Sequence, residues 1–135
     1  MEWEKVNSEI LVNKRIDDKF FTYGKDQKNY SNPPSGTWVS TQVVSKTHYD
    51  FFLCAQDVKQ GTTTPTHYTV IYDNLKLPED TLAAFTYYQC FNYFNWTGAV
   101  RVPACAQYAH KVAYLAGESL GKDFHESLRN RLGFL

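Results

Sequence analysis

Residues 95–115 read "NWTGAVRVPACAQYAHKVAYL", and the order of residue types in that stretch sets the architecture around it. Asn95-Trp96-Thr97-Gly98 is a breaker, polar and closed by a glycine. Val100-Arg101-Val102 follows as a brief extended segment, because Pro103 disfavours helix in the residue before it. From Pro103 a helix is expected to about Ser119. At about 100° per residue, Cys105, Ala109, Val112, Ala113 and Ala116 fall within about 60° of one direction and form the expected core stripe. Gln107, His110, Lys111, Tyr114 and Glu118 lie on the other side. His110 therefore sits at the border of the polar face. Its near-neutral pKa suits proton transfer or metal ligation, but a lone histidine on a helix is usually a surface residue.

A second helix is expected upstream. Pro78 followed by Glu79 and Asp80 is a helix start, with proline in the first turn and acids against the positive end of the dipole. The stripe Leu82, Phe85, Gln89 and Tyr93 keeps helical spacing to about Phe94. Strands occupy the first half of the chain. They are Ile10 to Val12, closed by the basic Asn13-Lys14-Arg15, then Trp38 to Val44, Tyr49 to Cys54 ("YDFFLC") and Tyr68 to Asp73 ("YTVIYD"). The third has almost no polar face, as in strands covered on both sides. Tyr23 to Gly36, rich in Gly, Asn, Ser and Pro, reads as loop. In the tail, "HESLRNRL", residues 125–132, is expected to form a short helix. The pattern is α/β, with strands in the first half and two main helices in the second, in one domain over residues 1–135.

The 14 Lys and Arg balance 14 Asp and Glu, so the overall field gives no non-specific pull on nucleic acid, and any polyanion site must be a local cluster. Aromatic residues make up 16% of the chain, which favours strands and large contact surfaces. Three widely spaced cysteines without a Cys-x-x-Cys pair form neither a disulfide framework nor a zinc ribbon. No leader and no apolar run long enough to span a bilayer can be read. Together these point to a soluble intracellular protein, cytoplasmic or nuclear, with no membrane contact.

Hydrolase, phosphate-loop and dinucleotide fingerprints are missing. Gln60-Gly61-Thr62-Thr63-Thr64 offers backbone donors and hydroxyls between two strands, as phosphate-contacting loops do, but by pattern alone a threonine-rich turn is the ordinary reading of such a stretch. Lys14, Arg15 and Lys19 make a basic edge that Asp17 and Asp18 partly neutralise. His48, His67 and His125 have no ligand spacing with one another.

Taken in order, "NKRIDDKFF", "YDFFLCAQ", "QGTTTPTHYTVIYDN", "FTYYQC" and "NWTGAVRVPACAQYAHKVAYL" resemble the C-terminal part of the PIWI domain of Argonaute proteins, from about Ile10 to Leu135. "QYAHKVAYLAGES" is closer to the Piwi branch, since the Argonaute branch usually carries arginine at the position of Leu115. The resemblance implies an RNase H-like fold in which a small guide RNA directs binding, silencing and, in active members, endoribonuclease cleavage of a complementary target RNA. It also implies that His110, in the "YAH" motif, is the last member of an Asp-Glu-Asp-His set holding two Mg2+ or Mn2+ ions.

The three acidic members belong to the first half of that domain, and Asp17, Asp18, Asp50 and Asp73 do not match them. The chain is therefore expected to be a partial PIWI domain that does not cut RNA alone and pairs with the rest of the domain. By motif position, Lys19, Gln60, Gly61, Tyr93, Arg101 and Gln107 resemble contacts to the guide backbone. Thr64 and Asn95 stand where the Argonaute branch has arginine. The carboxylate of Leu135 resembles the C-terminus that Piwi-type proteins bring to the guide 5′ phosphate. A sheet lacking its central parallel strands is expected to leave "YDFFLC" and "YTVIYD" partly uncovered and prone to association.

Overall fold

A computed structural model describes residues 8–24, 29–122, 124–128 and 131. Among the described residues, six strands precede two α-helices: β1 (Ser8–Asn13), β2 (Thr22–Tyr23), β3 (Tyr30–Ser31), β4 (Thr37–Val39), β5 (Asp50–Cys54), β6 (Thr66–Asp73), α1 (Glu79–Gln89) and α2 (Ala104–Tyr114). The main sheet has the order β1-β6-β5-β4, with every neighbouring pair antiparallel.

β5 lies inside this sheet and is buried along its whole length, as its nearly unbroken apolar sequence requires. The expectation that "YDFFLC" is partly uncovered does not hold, because α1 covers it. Leu82, Ala83, Thr86 and Cys90 recur at helical spacing and are buried. They join Phe51, Leu53, Ala55 and Tyr68 in the core, where Phe51 stacks on Tyr68 at 5.0 Å. Burying Phe51, Leu53 or Leu82 contributes about 1.5–3 kcal/mol each. "YTVIYD" is uncovered at its far end, where Ile71 and Tyr72, with Leu11 of the neighbouring β1, are exposed.

Gly36 is one glycine that packing demands. Its φ is +88°, and a Cβ there would meet the ring of Tyr87 at 3.1 Å. The Tyr87 hydroxyl is also 3.0 Å from Ser35 Oγ, so α1 is docked on the turn before β4 by a ring against a bare backbone.

Three boundaries differ from the sequence reading. The second expected strand stops at Val39 instead of Val44, and the chain then bends with Gln42 at φ 66°, which breaks the extended alternation. The first helix stops at Gln89 rather than near Phe94, because the Cys90 carbonyl accepts from Val100 N–H at 2.8 Å. The expected loop at 23–36 contains the second strand of a small hairpin, β2-β3, held by Thr22 and Ser31 hydroxyls 2.7 Å apart and by Tyr23 and Tyr30 rings at 4.8 Å. Cross-strand aromatic pairing overrides the loop-like composition.

α2 continues as a π-helical turn, Leu115–Leu120, ended by Gly121 in the left-handed region, so the expected end near Ser119 holds. Its orientation does not. Cys105, Ala109 and Ala113 of the expected core stripe are exposed, and the half-buried residues include Gln107, Tyr108, Lys111 and Leu115. The helix is turned by Tyr108, whose ring packs on Tyr93 at 5.0 Å and whose hydroxyl accepts from Phe94 N–H at 2.8 Å. In the tail, Glu126–Leu128 forms one 3₁₀ turn; residues 129, 130 and 132 of the expected short helix lie outside the described residues.

Candidate nucleic-acid interface

The loop at residues 60–64 is fixed from outside first by the Asn32 side chain. Asn32 donates its amide N–H to the Gly61 carbonyl at 2.8 Å and to the Val58 carbonyl at 3.4 Å, and accepts from Thr63 N–H at 3.0 Å. Gly61 takes φ +90°, a conformation that favours a residue without Cβ. Gln60 and Gly61 are exposed at the crest of the loop. Thr63 is buried, and its Oγ1 finds no hydrogen-bond partner among the described residues.

Lys19 comes from the stretch before β2, far away in sequence, and donates its ammonium to Thr64 Oγ1 at 2.9 Å. The structure thereby brings together expected guide-contact residues that sequence distance kept apart: Lys19 on one side, and Gln60 and Gly61 on the loop it holds. At the end of the same loop, buried Thr66 donates from Oγ1 to the Arg101 carbonyl at 3.0 Å. Gln56 donates to the Ala99 carbonyl at 3.2 Å, and Val100 N–H is bonded to Cys90. Three consecutive residues before Val102 are thus tied down, and the half-buried Arg101 side chain projects from an anchored backbone.

Tyr93 is half-buried against Tyr108 of α2, with half-buried Gln107 the adjacent residue. His110 stands apart. It lies two residues beyond Tyr108, about 200° further round the helix, is exposed, and makes no hydrogen bond to a described residue. No group of three or more His, Cys, Asp or Glu capable of holding a metal occurs among the described residues. His110 offers one imidazole nitrogen, and the described part of the chain does not by itself fit a divalent-ion centre. Leu135 lies outside the described residues.

Sequence reasoning missed several residues that build this region. Asn32 sits in the expected loop, Tyr108 reads only as part of a motif, and Asp50 and His67 match no site pattern in the sequence. His67 Nε2 and Asp50 Oδ2 are 2.7 Å apart, which follows only once the β5-β6 register of Phe52 against His67 is known.

Strands before helices, a core between β5 and α1, and a proline-started helix bearing the "YAH" motif define an RNase H-like unit of the PIWI type. The solved structure of Drosophila Piwi superposes with a TM-score of 0.82 at 37% identity, over 95% of this chain and 17% of that one. An Argonaute from Kluyveromyces polysporus, solved with a guide RNA, superposes at 0.67 with 26% identity, over 81% of this chain and 14% of that one. The family model described as Piwi domain matches residues 5–121. Human Piwi-like protein 3 is 46% identical over 126 residues, 93% of this chain and 14% of that protein. The chain belongs to the Piwi-domain family, on its Piwi branch, and spans about one seventh of the length of that relative. Among the described residues no helix is long and apolar enough to cross a membrane.

Proposed function

We propose that this chain is a guide-RNA-binding part of a Piwi-type silencing protein, with a complementary target RNA as the second partner. The observation that carries this reading is the Lys19 to Thr64 contact. It joins a cation to a loop presenting Gln60 and Gly61, next to the anchored Arg101, in a chain of the Piwi-domain family. Cations, amides and main-chain N–H groups held in one place are the means by which proteins follow a phosphate backbone. Lys19, Gln60, Gly61, Tyr93, Arg101 and Gln107 are the proposed contacts, and the Leu135 carboxylate the proposed contact near the guide 5′ end.

In the complete protein, His110 is proposed as the nitrogen ligand of a carboxylate-rich Mg2+ or Mn2+ centre whose acidic members come from the rest of the PIWI domain. Imidazole is a suitable donor in such a shell. With those acidic members proposed to lie in the rest of the PIWI domain, the chain alone is proposed to bind RNA without cutting it. The second reading is a non-catalytic piece that silences by recruitment.

The test is target cleavage by the full-length protein loaded with a guide, in magnesium, with His110 intact and with His110→Ala. The reading as endoribonuclease component expects cleavage to disappear while guide retention is unchanged. Cleavage at the original rate by His110→Ala would remove the ligand role, and no cleavage by the intact protein would leave recruitment as the function.

A further inference from the structure

No aspartate or glutamate lies between Asp80 and Glu118, while Arg101 and Lys111 fall inside that interval. In a chain of zero formal net charge, this concentrates the carboxylates elsewhere. It leaves the α1–α2 connection and α2 free of the charge that would repel a polyanion.

Two large apolar rings stand out from that connection. Phe94 is 85% exposed and Trp96 is 61% exposed, and among the described residues neither has an aromatic partner. Single exposed apolar residues need no explanation. These two differ because the backbone carrying them is pinned. Phe94 N–H donates to Tyr108 Oη at 2.8 Å, Trp96 N–H donates to the Tyr93 carbonyl at 3.2 Å, and Val100 N–H donates to the Cys90 carbonyl at 2.8 Å. The backbone that carries the rings is therefore already ordered, which removes part of the entropic cost of making a contact there. The rings also flank Asn95 and follow Tyr93, a residue in the proposed guide interface.

We propose that Phe94 and Trp96 form a stacking platform for the bases of single-stranded RNA. This rests on the RNA-binding reading above and adds to it. Phosphate contacts track the backbone without regard to bases, whereas a planar ring engages the π-face of a base and is tolerant of its identity. A protein partner would find no carboxylate across this interval to pair with its basic groups, whereas an RNA meets an interval that carries the two rings and two cations and no anion.

The experiment measures the affinity of the full chain for a short 5′-phosphorylated oligoadenylate and for the same backbone made abasic. The variants are Trp96→Ala, Phe94→Ala and Trp96→Phe. Both rings are exposed, so the variants keep the fold, which a thermal melt checks. Each alanine variant is expected to weaken oligoadenylate binding by about 5- to 150-fold, with the salt dependence unchanged. Trp96→Phe recovers most of the loss, and abasic RNA binds the intact protein and the alanine variants alike. If the intact protein binds both RNAs equally well and the alanine variants lose nothing, the platform is overturned while the RNA-binding reading stands. If the intact protein binds neither, both fall.

Discussion

Asp50 and His67 meet diagonally across β5 and β6, Asp50 lying opposite Thr69 and His67 opposite Phe52, with His67 Nε2 2.7 Å from Asp50 Oδ2. Asp50 is buried and also accepts from Ser45 N–H at 2.8 Å, while the His67 ring stacks on Phe52 at 4.4 Å. A buried carboxylate is tolerated only where hydrogen bonds replace its water. This one therefore joins two strands and tethers the bent segment after β4. Because removing one partner leaves the other unsatisfied, Asp50→Ala is expected to lower unfolding free energy by roughly 1–3 kcal/mol, and Asp50→Asn by less. Urea melts of the two variants check the order, and equal stability of both with the parent would refute the tether.

The thiols provide a probe of which faces are covered. Burial pushes Cys54 up to about 11 and Cys90 up to about 12, so both are neutral thiols, shielded from reagents, near neutral pH. Cys105 is exposed on α2. In the native chain, an aromatic disulfide reagent should titrate Cys105 rapidly and the other two only after denaturation. In the longer protein, slowed reaction at Cys105 would show that the small-residue face of α2 is covered by other parts of the molecule.

Acid sensitivity has a source at the end of β6. Asp73 is held below the usual carboxylate range, first by the Ser8 hydroxyl and further by backbone N–H groups including Leu77 and Leu75. A depressed folded-state pKa contributes stability that is present above the unfolded value and lost as pH falls through the folded one. Melting temperature should therefore fall as pH drops from about 5 to about 3, and Asp73→Asn should flatten that part of the profile. An identical acid limb in Asp73→Asn would assign the effect to other carboxylates.

Much of the fold could be read from pattern because the pattern had a single physical cause. "YDFFLC" has no polar face and is buried throughout. Pro78 and Pro103 each stand at the start of a helix. What depended on tertiary partners was not legible. The orientation of α2 could not be deduced from its small residues, because a contact between Tyr93 and Tyr108 sets it. The Asp50–His67 pair required a strand register, and the β2-β3 hairpin lay in a segment of loop composition. The candidate interface divides in the same way. Lys19, Gln60, Gly61, Tyr93, Arg101 and Gln107 are legible by motif resemblance, whereas the hold of Asn32 on the loop and the joining of Lys19 to Thr64 and of Thr66 to Arg101 arise from the fold.

The most direct measurement is the affinity of the chain for a 5′-phosphorylated single-stranded RNA as a function of salt. A guide-backbone interface predicts a linear fall of log affinity with log salt, with a slope of about −0.7 for each phosphate contacted. Lys19→Ala and Arg101→Ala should each reduce the steepness by about one contact. Binding that ignores salt, or slopes in both variants equal to that of the parent, would contradict the assignment of these residues to an RNA interface.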